Sequence, residues 1–133
     1  TGFLIESGSA SMGYLTDLGA VTEDNFLALR HVEFLVMEAN HDRDMLWNGP
    51  YPPHLKARVD SRVGHLSNVD SAEFIALLAE LGNLKGVMLA HLSEKNNDPD
   101  LALSVIRKRQ KKDLQIFLAH QDKPSKQIVV EKK

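Results

Sequence analysis

Hydrophobic and polar residues follow one another along the chain in blocks that predict alternating strands and helices. Short runs in which nearly every residue is apolar, bounded by Gly, Ser, Pro or Asp, have the length and composition of strands. Such runs lie at Phe3–Glu6, Met12–Leu15, Glu33–Ala39, 84–93, Gln115–Ala119 and Gln127–Val130. Only SGSAS separates the first two runs, which predicts a hairpin turn between antiparallel strands.

Helices are predicted between these strands, where apolar residues recur every three or four positions behind a capping residue. They cover Asn25–His31 with Thr22 as N-cap, Asp44–Trp47, Pro53–Val59, a segment that begins at Asp70, where Asp70 and Glu73 have the spacing of a capping box, and that is ended by Gly82, and a segment capped by Asp98 with Pro99 at its first position. Strands that alternate with helices usually form a sheet with helices packed on it. The pattern therefore predicts an α/β fold.

The composition is that of an ordinary globular domain. The 133 residues are 43% hydrophobic and 26% charged, with a formal net charge of −2, which excludes a disordered chain and a bulk binder of polyanions. The sequence predicts neither a membrane span nor a signal peptide. Cysteine is absent, which excludes disulfides and thiolate metal sites and favours a cytoplasmic location.

Polar residues stand where three of the predicted buried strands end. Asp17 follows the second strand, the third strand runs into the segment from Glu38 to Asp42, and the fourth ends in His91. A further histidine, His65, precedes a predicted helix. Functional sites in α/β sheets gather where strands run into loops, and carboxylates with imidazoles suit a Zn- or Mn-type divalent metal. These strand ends are therefore the candidate site.

Each of these residues also has a simpler interpretation. Asp17 fits an Asx turn, His91 fits a buried core histidine, and His65 fits a residue at a helix entry. No compact metal motif such as H-x-x-x-H or H-E-x-x-H is present. The basic run Arg107–Lys112 is typical of a solvated helix end, with contact to a phosphate backbone as the alternative. Residue spacing alone leaves these alternatives open.

Three longer segments resemble the motifs of one family. They are GYLTDLGAVTED (13–24), VMEANHDRDMLWNGPYPPHLKARVDSRVGHLSN (36–68) and LAHLSEKNNDPDLAL (89–103). Together they resemble the C-terminal half of metallo-β-lactamase-fold hydrolases, and the long middle segment resembles the signature of the WalJ/YycJ-type nuclease branch. The resemblance runs from Gly2 to about Val130, nearly the whole chain.

The resemblance implies a role for each matching residue. Asp17 stands at the position of the acidic residue that bridges two metal ions, and His91 at the last metal-ligating histidine. His41 and His65 match histidines expected near the scissile phosphate, as general acid or phosphate donors. Asn40, Asp42, Ser67, Ser93 and Asn97 belong to the same motifs as groups that orient the others or bind phosphate. The implied activity is hydrolysis of nucleic acid or another phosphodiester by a hydroxide bound to two Zn or Mn ions.

The chain also departs from the family. The main metal motif, H-x-H-x-D-H, is missing, and no two histidines are separated by a single residue. We therefore expect residues 1–133 to be the C-terminal half of an αβ/βα sandwich, inactive alone, with an apolar surface that meets the N-terminal half or a second copy of itself. The sequence leaves two alternative functions open: a non-catalytic α/β interaction module, and a thioester or lactam hydrolase of the same fold.

Overall fold

A five-stranded mixed sheet forms the centre of the fold. The computed structural model describes residues 2–131, and they form five strands and five helices. The strands are β1 (Gly2–Ser7), β2 (Ala10–Leu15), β3 (Phe34–Glu38), β4 (Gly86–Ala90) and β5 (Gln115–Leu118). The helices are α1 (Glu23–Leu29), α2 (Arg43–Asn48), α3 (Pro53–Val59), α4 (Asn68–Leu81) and α5 (Pro99–Arg109). Among these residues no helix combines the length and apolar character that crossing a membrane would require.

The strands lie in the order in which they occur along the chain, β1-β2-β3-β4-β5. β1 and β2 form the predicted antiparallel hairpin, and Gly8 in its turn has a φ of +60°, which glycine adopts without steric cost. β2 to β5 pair in parallel. The carboxyl ends of four strands therefore lie along one edge of the sheet.

The helices α1, α4 and α5 form the hydrophobic core against one face of the sheet. Because side chains alternate along a strand, Leu35 and Met37 of β3 point to this face together with Val87 and Leu89 of β4. All four are fully buried, as is Ile75 of α4. Burial of each such side chain contributes about 1.5–3 kcal/mol. The predicted α/β fold class is confirmed.

The opposite face of the sheet is apolar but contributes nothing to this core. The strand registers place on it seven exposed or partly buried apolar side chains, which we call the open sheet face: Phe3, Ile5, Met12, Tyr14, Val36, Met88 and Phe117. They also place the buried Phe34 there. Phe3 and Ile5 are 57% and 53% exposed, and the other five are only partly buried. Monomeric proteins rarely expose a large contiguous apolar surface, so this face is suited to contact with another layer of structure.

The predicted strand at Gln127–Val130 is wrong. Beyond β5, residues 119–131 have no regular secondary structure. Ile128 and Val129 instead line a cavity of about 590 Å³ together with Glu33, which precedes β3. The apolar residues that suggested a strand therefore lie beside this cavity at the amino end of the sheet, outside any strand.

The N-terminus of α4 also differs from its prediction. Ser67, and not Asp70, is the N-cap, since the Ser67 hydroxyl accepts a hydrogen bond from the Asp70 backbone N–H at 3.2 Å. The Asp70 carboxylate instead accepts a hydrogen bond from Arg43 Nη2 at 2.8 Å. The helix ends at Gly82, as predicted. The Asp70–Glu73 spacing resembled a capping box, but the serine that precedes the helix reaches the exposed amide first.

Candidate metal centre

Three side chains from neighbouring strands meet at the carboxyl edge of the sheet. Asp17 follows β2, Glu38 ends β3 and His91 follows β4. The parallel pairing of these strands places their ends side by side. His91 Nδ1 lies 3.3 Å from Glu38 Oε1 and 3.4 Å from Asp17 Oδ1. The structure thus brings together Asp17 and His91, two of the predicted site residues.

His65 reaches the same place from the loop between α3 and α4. Its Nδ1 lies 2.7 Å from Glu38 Oε1. The preceding Gly64 allows this approach, because a Cβ at that position would lie 2.1 Å from the Arg58 carbonyl oxygen. The His65 backbone N–H donates to the Val59 carbonyl at 2.8 Å. The close passage of the loop against the end of α3 therefore sets the position of the imidazole.

These four side chains have the chemistry of a divalent metal site. One donor atom from each of Asp17, Glu38, His65 and His91 lies within 4.8 Å of the others, and we call this group the edge cluster. Two carboxylates and two imidazoles are ligands that Zn²⁺ and Mn²⁺ both accept. The donor set therefore fits a divalent ion at this edge of the sheet.

Two members of the edge cluster have an unusual backbone conformation. Asp17 and His91 have φ angles of 59° and 56°, and within residues 2–131 they are the two non-glycine residues with positive φ. The left-handed region costs roughly 1–2 kcal/mol for a residue with a Cβ. Such residues cluster at functional sites, where the rest of the fold holds them in place. Here the strain occurs at the ends of β2 and β4, at the point where each side chain turns toward the cluster.

Glycine at these positions should stabilise the fold relative to alanine. We expect Asp17→Gly and His91→Gly to unfold with a free energy about 1 kcal/mol higher than Asp17→Ala and His91→Ala, because only alanine retains the steric cost of positive φ. Urea denaturation of the four variants measures the difference. Alanine variants as stable as the glycine variants would show that the strand ends are not held in a left-handed conformation.

Glu38 is the member of the edge cluster that the sequence did not single out. Its side chain is 0% exposed, and Oε2 accepts a hydrogen bond from the Leu66 backbone N–H at 3.3 Å. Its carbonyl accepts a hydrogen bond from the Ser71 hydroxyl. A carboxylate is almost never fully buried without partners, so a glutamate at the end of an apolar strand was the signal available in the sequence.

His41 lies outside the edge cluster, although it was a predicted catalytic residue. It is fully buried, with Nε2 3.2 Å from Asp60 Oδ1 and Nδ1 3.3 Å from Asn40 Oδ1. Its carbonyl accepts the Asn68 backbone N–H at 2.8 Å, which links the segment after β3 to the start of α4. The structure therefore gives His41 contacts with protein groups at both ring nitrogens.

Burial lowers the pKa of His41 from its ordinary value of 6.5, because the loss of water outweighs the favourable effect of Asp60. The unfolded chain then binds this proton more readily than the folded chain, so stability falls as the pH drops below about 6.5 toward the lower folded pKa. We expect urea titrations across this range to show a shallower dependence in His41→Gln than in wild type. The exposed His31→Gln variant should keep the wild-type dependence. Equal dependence in wild type and His41→Gln would contradict this assignment.

Asp60 connects His41 to two further side chains that the sequence did not indicate. Arg43 Nε and Trp47 Nε1 each donate to its carboxylate, at 3.1 Å. Burial alone would raise the pKa of Asp60, but hydrogen bonds from Trp47, His41 and Arg43 lower it overall. Asp60 is therefore held ionised, as the centre of a network with His41, Arg43 and Trp47.

Asn40 joins this network to the edge cluster. Its Nδ2 donates to the His91 carbonyl at 2.8 Å, and its own carbonyl accepts the Ser93 backbone N–H at 2.8 Å. The side-chain oxygen of Asn40 faces His41. Asn40 thus holds the chain directly after the left-handed residue His91.

The remaining predicted residues support the loops around the cluster. Asp42 caps α2 by accepting the Met45 backbone N–H, and Ser67 caps α4. The Ser93 hydroxyl accepts the Asn96 backbone N–H at 3.1 Å. Asn97 donates to the Ala39 carbonyl at 2.9 Å and exchanges hydrogen bonds with Asn68. None of these four predicted side chains belongs to the edge cluster, and all four fix backbone near it.

Sequence comparison finds relatives of one kind. The chain is 43% identical over 89 residues, 66% of its length, to the exodeoxyribonuclease WalJ of Streptococcus pneumoniae serotype 2 (strain D39 / NCTC 7466). It is 34% identical over 100 residues, 75% of its length, to the exodeoxyribonuclease YycJ of Bacillus anthracis. The aligned parts cover 32% and 38% of those proteins, so the chain spans about a third of their length. No protein-family model matches the chain.

Two solved structures share the fold. The metallo-β-lactamase fold protein YhfI of Bacillus subtilis aligns with a TM-score of 0.60 and 15% identity, over 89% of this chain and 40% of that one. The Zn²⁺-bound PqqB of Methylobacterium extorquens aligns with a TM-score of 0.56 and 21% identity, over 90% of this chain and 40% of that one. These findings confirm the resemblance seen in the three motifs: over most of its length the chain is related to the WalJ and YycJ exodeoxyribonucleases, and its fold is that of metallo-β-lactamase proteins.

Proposed function

We propose that this chain is the C-terminal half of a metal-dependent phosphodiesterase that hydrolyses DNA. The observation that carries the proposal is the meeting of Asp17, Glu38, His65 and His91 at one edge of the sheet. Metal ligands and a proton donor are what hydrolysis of a phosphodiester requires. The names of the relatives, exodeoxyribonucleases, favour DNA as the substrate.

Asp17 and His91 are the metal ligands in this proposal, and the first half of the protein supplies the others. Asp17, through its carboxylate, and His91, through its imidazole, would hold Zn or Mn at this edge. When bound, divalent ions lower the pKa of water so that hydroxide is available at neutral pH, and they neutralise charge on the phosphate. The protein's part is to fix the donor atoms, through the strained strand ends and through the hydrogen bond from Asn40 to the His91 carbonyl.

Glu38 and His65 form the proton-donating pair. The buried Glu38 carboxylate contacts His65 Nδ1 and so fixes the orientation of the imidazole ring. His65 Nε2 is then available to give a proton to the leaving oxygen of the phosphodiester, while the ring remains partly open to solvent. A carboxylate that orients a histidine in this way supports the positively charged ring before its proton is transferred.

His41 acts in this proposal as a positioning residue. Its two ring nitrogens contact Asp60 and Asn40, and Asn40 in turn holds the His91 carbonyl. Because the His41 ring is fully buried, it influences the site through these contacts and not through the substrate.

The proposal also places a second half of the protein on the open sheet face. This chain corresponds to about a third of its sequence relatives and to 40% of its structural neighbours. Two sheets that pack face to face bury side chains from both inner faces. The aromatic and aliphatic residues of the open sheet face are of the kind that such packing covers.

Residues 1–133 alone should therefore self-associate. We expect size-exclusion chromatography to show a dimer or larger species, because two copies can cover each other's open sheet face. Phe3→Lys and Ile5→Lys should shift the protein toward monomer. Val69→Lys, which replaces an exposed valine on α4 outside this face, should not. A clean wild-type monomer would count against the interface.

Hydrolysis by the complete, metal-loaded protein tests the proposed function. The substrates tested in parallel are linear single- and double-stranded DNA, RNA, a thioester and a β-lactam. Each is given to protein loaded with Zn²⁺ or Mn²⁺ and to protein whose metal has been removed by a chelator. We expect metal-dependent release of nucleotides from DNA. Cleavage of the thioester or lactam with no cleavage of any phosphodiester would overturn the proposal, as would full DNA cleavage by the chelated protein.

A further inference from the structure

A cavity of about 270 Å³ lies directly beside the edge cluster. Asp17 and His65 form one side of it. The rest of its lining comes from α3 and the turn that follows: Leu55, Arg58, Val59, Val63 and Gly64. The cavity therefore joins the proposed reaction centre to the outer surface of α3.

The α3 side of the cavity combines an apolar surface with one positive charge. Leu55, Arg58 and Val59 have the spacing of a single helix face, i, i+3 and i+4. None of the side chains of α3 is buried, and Val63 is 81% exposed. Arg58 forms no ion pair with any residue between 2 and 131. The packing of the protein does not explain why an exposed valine, two half-buried aliphatic side chains and an unpaired guanidinium lie together here.

We infer that this cavity binds the nucleotide on the leaving-group side of the scissile phosphate. Its base lies against Val59 and Val63, and its next phosphate is bound by Arg58. The inference rests on the proposed function, since it takes His65 as the proton donor. Guanidinium binds phosphate oxygens through paired, charge-assisted hydrogen bonds, and aliphatic side chains provide a surface for the flat base.

The position of His65 determines which side of the substrate this is. A general acid must lie within hydrogen-bond reach of the oxygen that receives its proton, and that oxygen belongs to the leaving nucleotide. His65 lines the cavity together with Gly64 and the α3 face. This cavity is therefore the space nearest to the nucleotide that carries that oxygen. Lys56, also on α3, donates to the Trp47 carbonyl and is not part of this lining.

Two substrates and two arginines test the inference in the complete, metal-loaded protein. The substrates are a short single-stranded DNA oligonucleotide and bis(p-nitrophenyl) phosphate, a phosphodiester that has no second phosphate. The measured quantity is the ratio of kcat/KM for the oligonucleotide to kcat/KM for the small diester. We expect Arg58→Ala to lower this ratio about tenfold, mainly through KM, because one charge-assisted phosphate contact is lost. Arg62→Ala removes an exposed arginine four residues away that does not line the cavity, and it should leave the ratio unchanged.

A second variant tests the apolar wall. Val63→Asp changes a side chain that is almost fully exposed, so folding is preserved, and places a negative charge where the base and phosphate bind. It should lower the ratio at least as much as Arg58→Ala. An unchanged ratio in both variants, or an equal loss in Arg58→Ala and Arg62→Ala, would overturn the inference while leaving the proposed function intact. A wild-type protein that cleaves neither substrate would overturn both.

Discussion

His91→Ala should remove at least one divalent metal ion from the complete protein and lower its rate of DNA hydrolysis by about 10³-fold. The size of the effect follows from the several kcal/mol that a bound ion contributes to stabilising the transition state. His91 Nδ1 lies within 3.4 Å of both carboxylates of the edge cluster, so the imidazole is central to the donor set. Metal content by mass spectrometry and kcat on DNA are measured on the same sample.

Two further variants separate the loss of a ligand from the loss of structure. His91→Gly removes the imidazole while relieving the strained backbone, and it should lose as much metal and activity as His91→Ala. His31→Ala changes an exposed histidine before β3 and should alter neither quantity. Unchanged metal stoichiometry in His91→Ala and His91→Gly would defeat the assignment of His91 as a ligand.

Glu38→Gln should lower kcat on DNA by roughly 10²–10³-fold while leaving the metal stoichiometry unchanged. Glutamine retains the shape of the buried side chain but no longer supplies the negative charge that orients His65 and supports its proton. General acid catalysis contributes about 10²–10⁴-fold, which sets the scale. Loss of a metal ion in Glu38→Gln would show instead that Glu38 is a ligand.

A control variant and a double variant test this role of Glu38. Glu33 is buried at the amino end of β3, opposite to Glu38 at its carboxyl end, and Glu33→Gln should keep the wild-type kcat. His65→Ala and Glu38→Gln should not be additive when combined, because a pair that acts as one unit is lost at the first substitution. Additive losses would mean that the two residues act independently.

The parts of this fold that sequence could predict are those determined locally. The SGSAS turn, the N-caps Thr22 and Asp98 and the apolar runs of β3 and β4 each depend on neighbours within a few positions, and all are found in the structure. The juxtaposition of Asp17 and His91 followed from one added fact, that parallel strands end at one edge. The predicted strand at Gln127–Val130 failed although β5, at the end of the sheet, pairs on one side only within residues 2–131, because an apolar run does not report whether a segment pairs with an available edge.

The parts of the site that sequence did not predict depend on contacts between distant segments. Glu38 and His65 are 27 residues apart, and His41 and Asp60 are 19 apart. The sequence showed a polar segment at the end of β3, but it could not distinguish Glu38, which belongs to the edge cluster, from His41, which is fully buried outside it. The contact of His65 with Glu38 depends in turn on the path of the loop before α4, where Gly64 passes close to the Arg58 carbonyl oxygen.

The location of bound metal tests the central claim most directly. Anomalous diffraction from the Zn²⁺-loaded complete protein should show density coordinated by Asp17 and His91, with His65 and Glu38 beside it but in contact with each other. Density coordinated by Glu38 and His65 would contradict the assignment of these two residues as the proton-donating pair. Metal bound elsewhere, with none at the ends of β2 and β4, would contradict the proposed site as a whole.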